Sequence, residues 1–411
     1  MRMTKVHPAW WMLLGCCAMT FVGLGIVNSC AGIFLTPVAQ ELGVGQGDIS
    51  LYMTVQGVTN IMAAVLVGKV LPKCKLSVLT TAAGLAICGA FGLMSQYHSV
   101  YSWYISGAVI GLAMPFCGVP MGPIIISNWF KKQEGLAMGI VMAFSGVAGV
   151  VLNPLIGHII ANTGWRQAYL VMGIIGAVVI LPFTLFVLKL HPSDLGILPY
   201  GAEDLQDGAE QGEVDRVQFT AEQASRSGKF YALVSAVLFM ACYNGAVQHM
   251  SGYVVDLGFS YEDAGTVLAG LMFTMTLGKI LMGYAIDRLG IMTAVSAAAS
   301  VGICGMLAVI TGVSLPVLIG GAAFFGLAAA LVTVLPAIAT KRVFGAQAYA
   351  AIYPLVTVGS GIGANFSAPV MGYIYDATQS YRIGFGLLVV LMAAATVIYW
   401  KILNKKKQCS V

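Results

Sequence analysis

The chain has 411 residues, 59% of them hydrophobic and only 9% charged, and a mean hydropathy of +0.88. A soluble protein carries about 25% charged residues, so this chain cannot cover a surface that faces water, and it belongs in a bilayer. Nine cysteines without a C-x-x-C or His-spaced cluster argue against a zinc site and a disulfide framework, and the net charge of +5 does not indicate nucleic-acid affinity until its placement is known.

Charge-free runs mark the elements in chain order. Ala9–Gln40 follows Arg2 and Lys5; it is longer than a signal-peptide core and no small-residue cleavage site closes it, so it reads as the first span. Ile49–Gly68 is the second. Leu76–Phe130 is too long for one span, which needs about 20 residues, and it divides at Ser95-Gln96-Tyr97-His98-Ser99 into the third and fourth. Gly135–Trp165 and Gln167–Leu188 are the fifth and sixth. The segment His191–Gly228 then carries Glu203, Asp204, Asp207, Glu210, Glu213, Asp215 and Glu222 with few apolar residues, and reads as a solvated connector without a core of its own. Phe230–Val255 is the seventh span, and Ala264–Gly278, interrupted by Lys279 and continuing to Ile286, the eighth. Leu289–Thr340 divides at Thr311-Gly312-Val313-Ser314-Leu315-Pro316 into the ninth and tenth; Val343–Tyr375 and Ile383–Trp400 complete the set.

The reading is therefore an all-α integral membrane protein with twelve transmembrane helices in two six-helix, pseudo-symmetric bundles. Residues 1–190 form the first bundle, 191–228 an acidic cytoplasmic linker, and 229–411 the second bundle with a basic cytoplasmic tail, Lys405–Lys407. Basic residues orient it. With both termini cytoplasmic, Arg2, Lys5, Lys69, Lys73, Lys75, Lys131, Lys132, Lys189, Arg216, Arg226, Lys229, Arg288, Lys341, Arg342, Lys401, Lys405, Lys406 and Lys407 lie inside, and only Arg166 and Arg382 outside. That asymmetry satisfies the positive-inside rule, so the positive charge reports topology. The tail could add a secondary attraction to anionic lipid.

The two halves repeat at an offset of 215. Leu42-Gly43 matches Leu257-Gly258, Asp48 matches Asp263, and Gly68 matches Gly283. Gly111-Leu112-Ala113 matches Gly326-Leu327-Ala328, Pro154 and Gly157 match Pro369 and Gly372, and Arg166 pairs with Arg382 at 216. Six spans per half make the repeat parallel, which is the arrangement of the major facilitator transporters. Gly283-Tyr284-Ala285-Ile286-Asp287-Arg288-Leu289-Gly290 resembles that superfamily's G-x-x-x-D-R-x-G loop, whose counterpart Gly68-Lys69-Val70-Leu71-Pro72-Lys73 lacks the Asp. Asn128-Trp129-Phe130-Lys131-Lys132-Gln133-Glu134-Gly135-Leu136-Ala137-Met138-Gly139 is similar to a passage of the monocarboxylate transporters and oxalate–formate antiporters, with Glu134 where that family usually has Arg. Gly164-Trp165-Arg166-Gln167-Ala168-Tyr169 and Pro192-Ser193-Asp194-Leu195-Gly196-Ile197-Leu198-Pro199-Tyr200-Gly201 are similar to the same bacterial members.

No Asp or Glu falls in a predicted helix core; the ionisable groups at depth are Lys279, His249 and His158. Burying a charge there costs at least about 2.5–3.5 kcal/mol, so such residues are functional candidates. Lys279-Ile280-Leu281-Met282-Gly283 is similar to the R-P-x-x-G of helix 8 in the monocarboxylate transporters, which implies a carboxylate-binding cation; the family's acid four residues earlier corresponds to Met275. Lysine gives a point charge without the bidentate fork of arginine. The alternative is snorkelling, since Lys279 lies about 12 Å along a helix from Asp287. His249 could handle a proton or simply hydrogen-bond a neighbouring helix, and His158 lies near an outer helix end. Asn28, Tyr243, Asn244, Gln248, Thr333, Ser360 and Asn365 could line a substrate cavity or serve as hydrogen bonds between helices. Gly68, Lys73, Gly283, Asp287 and Arg288 are candidate gating residues. A single deep cation favours one carboxylate.

The expectation is a non-enzymatic secondary transporter without a cofactor. It would move a small organic monocarboxylate across a plasma or inner membrane by alternating access, through proton symport or anion exchange. Its partners would be that substrate, protons in the case of symport, and lipid, with no nucleic acid and no obligate protein partner. A drug-like exporter, a dicarboxylate exchanger of the oxalate/formate type, a membrane-embedded enzyme and a transport-dead sensor are the rivals.

Overall fold

The computed structural model describes residues 7–71, 73–118, 121–201 and 227–403. Among them twelve helical stretches follow one another: α1 (Ala9–Ser29, resuming as Gly32–Leu42), α2 (Gln46–Val70), α3 (Leu76–Met94), α4 (Val100–Cys117 and Met121–Trp129), α5 (Glu134–Thr163) and α6 (Trp165–Phe186). The others are α7 (Gly228–Asp256), α8 (Tyr261–Leu289), α9 (Ile291–Thr311), α10 (Leu315–Gly345), α11 (346–378) and α12 (Tyr381–Leu403). Among the described residues nine of these are long and apolar enough to cross a membrane. α2, α8 and α11 are long enough but carry more polar side chains, including Thr54, Gln56, Thr59 and Asn60 in α2 and Ser360, Asn365 and Ser367 in α11. The acids of the linker and the basic tail Lys405–Lys407 lie outside the described residues.

Local sequence explains the ends. Ser260 and Asp263 form a reciprocal capping box that starts α8, and Ser227 accepts the Phe230 amide at 3.2 Å to start α7; both satisfy amides the helix cannot. Gly290 (φ 78°) and Gly345 (φ 82°) turn the chain in a single residue between α8 and α9 and between α10 and α11, a conformation that costs other residues a steric penalty.

By contacts the chain forms two compact units, Met1–Leu42 with Tyr52–Gln211, and Gly43–Leu51 with Gly212–Val411. Within the first, α3 packs along α6 and α4, and α1 against α5; within the second, α8 packs along α10, α7 along α11 and α9 along α10. The repeat recurs in packing detail. In the first unit a Cβ on Gly111 would collide with the Gln56 carbonyl and the Thr59 hydroxyl; in the second, one on Gly326 would collide with the Leu271 carbonyl and the Thr274 hydroxyl. Each pair of positions is related by 215, so the same glycine-to-carbonyl approach fixes α4 on α2 and α10 on α8. Such close approach suits membrane helices, where packing and not hydrophobic exclusion holds helices together.

Two segments picked out by their sequences meet in the first unit. Trp129 donates its indole N–H to the Lys189 carbonyl (2.9 Å) and Asn128 its amide to the Leu190 carbonyl (3.1 Å). Tyr200 then pairs with Trp129 and Lys131 through main-chain bonds, and its ring joins those of His7, Trp10 and Phe130. The Asn128–Lys132 passage thus anchors the segment of chain that leaves α6.

Candidate functional site

In the first unit the helix opens where its polar residues lie. Phe21–Ser29 is wound as a π-helix, and helical structure stops before resuming at Gly32. Gly23 and Gly25 let this turn sit on its neighbours: a Cβ on Gly23 would stand 2.6 Å from the Cys117 carbonyl, and one on Gly25 would collide with Ala148. Asn28, half-buried at the end of the turn, accepts at Oδ1 from Gln56 Nε2 (3.2 Å), and Gln56, 6% exposed, also donates to Met114 Sδ. Ser29 Oγ donates to the Ser145 carbonyl (3.1 Å), while Asn153 Nδ2 donates to the Ser29 carbonyl (3.2 Å) and to the Gly149 carbonyl (2.8 Å). Asn153 is fully buried and its Oδ1 has no hydrogen-bond partner among the described residues.

In the second unit α7 breaks at Cys242, the counterpart of Val27 in the π-turn. Tyr243, the counterpart of Asn28, stacks on Phe325 at 4.2 Å and donates its hydroxyl to the Phe325 carbonyl at 3.4 Å. Asn244 donates to the Ala364 carbonyl (3.0 Å), bringing α7 against α11 beside Asn365. His249 is 1% exposed; Nε2 lies 2.8 Å from the Ala368 carbonyl, which fixes that nitrogen as the donor, and Nδ1 has no partner among the described residues. Gln248 is buried, Ser360 and Asn365 are half-buried, and Thr333 is exposed with its hydroxyl turned back to the Ala329 carbonyl.

Lys279 is half-buried on α8 and has no hydrogen-bond or ion-pair partner among the described residues. Its neighbour Gly278 is pressed on α10, where a Cβ would stand 2.6 Å from the Leu327 carbonyl. The nearby hydroxyl of Thr276 is bonded to the Met272 carbonyl. His158 bonds Asn162 near the C-terminal end of α5. The surroundings of Gly68 and Gly283 and the side chain of Asp287 lie outside the described residues, although the backbone of all three is helical; Arg288 is exposed over the Tyr284 ring at 5.6 Å, and Lys73 is exposed.

Two charged clusters at helix ends were not legible as sites. Glu41 accepts from the Trp165 indole and from Arg166, whose Nη2 is 2.9 Å away, while Arg166 Nη1 donates to the Ser95 carbonyl at 2.9 Å. Arg166 therefore locks α1, α3 and α6 together. In the second unit Asp376 takes the Gln46 and Gly47 amides, each at 2.8 Å, and Tyr373 donates to Asp48 at 3.1 Å. The sequence signal for this cap is an asymmetry of the repeat: Gly45 stands where Ser260 caps α8. Gln56 and Asn60, four apart on α2, were the missed signal for the polar pair of the first unit. Among the described residues no cluster of three His, Cys, Asp or Glu is placed to hold a metal.

The sequence matches the Major Facilitator Superfamily over residues 12–313 and 256–408. It is 24% identical to monocarboxylate transporter 12 of Homo sapiens over 94% of this chain and 79% of that protein. It is also 26% identical to the riboflavin transporter RibJ of Trypanosoma brucei brucei, over 45% of this chain and 35% of that one. Solved structures with the same fold include the nucleoside transporter NupG (TM-score 0.72, 12% identity, 98% of this chain and 100% of that one). A bacterial homologue of the human lysosomal transporter Spinster, inward-facing and occupied, is another (TM-score 0.70, 13% identity, 99% and 100%). With the family match running across both six-helix halves, the chain belongs to the Major Facilitator Superfamily.

Proposed function

We propose that the chain is a secondary transporter of a small organic monocarboxylate, working by alternating access in a plasma or inner membrane with both termini cytoplasmic. The observation that carries the reading is Lys279: a half-buried cation within α8, ten residues before its last residue Leu289, without a partner among the described residues. A membrane helix keeps such a charge at a cost of at least about 2.5–3.5 kcal/mol, and an incoming carboxylate is the group that would offset it. The 24% identity with monocarboxylate transporter 12 across 94% of the chain supports the same substrate class. α11 contains neither Lys nor Arg, so one carboxylate is favoured over two.

In this reading Tyr243, Asn244, Gln248, His249, Thr333, Ser360, Asn365 and Asn28 contribute to the substrate path, and Gly68, Lys73, Gly283, Asp287 and Arg288 to gating. Coupling is either proton symport or exchange of one anion for another. Purified protein in liposomes, offered labelled lactate, pyruvate, formate, oxalate and an amino acid, tests it. Uptake of a monocarboxylate that falls at least about tenfold in Lys279→Ala and partly recovers in Lys279→Arg is expected. Counterflow with and without a pH gradient separates symport from exchange. No monocarboxylate uptake, or uptake by Lys279→Ala at the wild-type rate, would overturn the reading; movement of a cationic dye instead would favour an exporter.

A further inference from the structure

The half-chains repeat their scaffold but not their chemistry at one place. Asn28 and Gln56 of the first unit correspond, at the offset of 215, to Tyr243 and Leu271 of the second. In the second unit Leu271 is buried and apolar, and the Tyr243 hydroxyl is held by the Phe325 carbonyl. In the first unit the same two positions hold carboxamides bonded to each other. The Gly111 and Gly326 contacts beside Gln56 and Leu271 are repeated, so the close approach of α4 on α2 does not by itself demand an amide at position 56.

Three further observations point to a ligand. The π-winding of Phe21–Ser29 places Asn28 where regular helix has been given up, and π-wound departures from α-helix are frequent at functional sites. Gln56 donates to Asn28 Oδ1, which fixes the orientation of that carboxamide and makes Nδ2, with its two N–H groups, the donor end. Asn153, bonded to the adjoining Ser29 carbonyl, keeps a fully buried Oδ1 without a partner among the described residues; an open buried acceptor calls for an explanation beyond packing, and a hydroxyl is a group with the donor that would meet it.

We infer that the π-wound turn of α1 carries a hydrogen-bonding half-site, Asn28 set by Gln56, that recognises a neutral oxygen substituent of the transported acid, so that hydroxy monocarboxylates are preferred to oxo acids and oxo acids to unsubstituted ones. The inference rests on the carboxylate-transport reading above. A hydroxyl both accepts from the Asn28 amide and donates to an unmet acceptor; an oxo group only accepts; an unsubstituted acid does neither. The expected order is lactate, then pyruvate, then propionate.

The test is competition of labelled lactate uptake into proteoliposomes by unlabelled lactate, pyruvate and propionate, in wild type, Gln56→Leu and Asn28→Leu. Gln56→Leu copies the residue at the related position of the second unit, which keeps the packing. Wild type should prefer lactate over propionate by about three- to tenfold, the worth of one neutral hydrogen bond. Both variants should reduce that preference to less than about twofold, and retained propionate transport by Gln56→Leu shows that this variant folds. An unchanged preference in the variants, no preference in wild type, or equal loss of both acids overturns the half-site and leaves carboxylate transport standing. If wild type moves none of the three acids, the transport reading fails and the half-site fails with it.

Discussion

Asp376 should be the residue that holds the first turn of α2. Its two carboxylate oxygens take the Gln46 and Gly47 amides at 2.8 Å each, and Gly45 offers no side-chain cap of its own. Replacing a capping side chain by alanine costs about 0.5–2 kcal/mol, and the loss of a negative charge at a helix N-terminus adds about 0.3–1 kcal/mol. Asp376→Ala should therefore cost about 1–3 kcal/mol locally, which raises the open population of this turn about five- to 150-fold. Amide hydrogen exchange read by mass spectrometry on a peptide spanning residues 43–51 measures that factor directly, with Asp376→Asn falling between wild type and alanine. A second variant separates capping from tethering. A Cβ on Gly45 would stand 2.6 Å from Asp376 Oδ2, so Gly45→Ser by itself clashes with the carboxylate. In the double variant, Gly45→Ser with Asp376→Ala, the carboxylate is gone and the serine has room. There it recreates the cap that Ser260 gives α8, and protection should return. Unchanged exchange in Asp376→Ala, or no recovery in the double variant, would refute the capping account.

Three other outcomes follow from the packing. Gly111→Ala and Gly326→Ala push a methyl into main-chain carbonyls that cannot rotate away, so each should destabilise by about 1–3 kcal/mol and to a similar extent, read as loss of monodisperse protein on heating. Trp129→Phe removes the indole bond to Lys189 (2.9 Å) and should cost about 0.5–1.5 kcal/mol, with faster limited proteolysis between Lys189 and Gly201. His249→Ala removes the donor to Ala368 and opens a buried void, for about 2–4 kcal/mol, whereas His249→Gln keeps a donor and should hold most of the stability. Wild-type-like melting of both His249 variants would show that the bond to α11 is structurally idle.

The span order was legible because the bilayer makes one demand that sequence states openly: about 20 apolar residues per crossing, with charge confined to the turns. The three helices that fall short on apolarity, α2, α8 and α11, still emerge from their runs because the polar residues inside those runs are uncharged, apart from Lys279. What the runs could not show was backbone irregularity. The π-turn at Phe21–Ser29 lies within one unbroken apolar run, and nothing in Phe21-Val22-Gly23-Leu24-Gly25 distinguishes it from helix. It depends on close approach of Gly23 to the Cys117 carbonyl, a contact between residues 94 positions apart in the sequence. Partnership was equally hidden: Arg166 counted as an outer cation, yet it is held by Glu41 and the Ser95 carbonyl, so its charge fastens helices together.

The internal repeat then becomes a way to separate scaffold from chemistry. Where both halves agree, as at Gly111 and Gly326 or at Thr59 and Thr274, the residues meet main chain and each has the same neighbour in its own unit. Those agreements are set by packing and would survive any change of substrate. Two of the disagreements carry polar chemistry: Gly45 against Ser260 exchanges a local cap for one from Asp376, and Asn28 with Gln56 against Tyr243 with Leu271 exchanges a bonded carboxamide pair for a tyrosine stacked on Phe325 and a buried leucine. Lys279 fits the same pattern, because its related position is Ala64 and the repeat alone gives no cause for a cation. Among the departures from the repeat, the cation on α8 and the amide pair at the π-turn are the ones with the chemistry that the proposed carboxylate substrate would need.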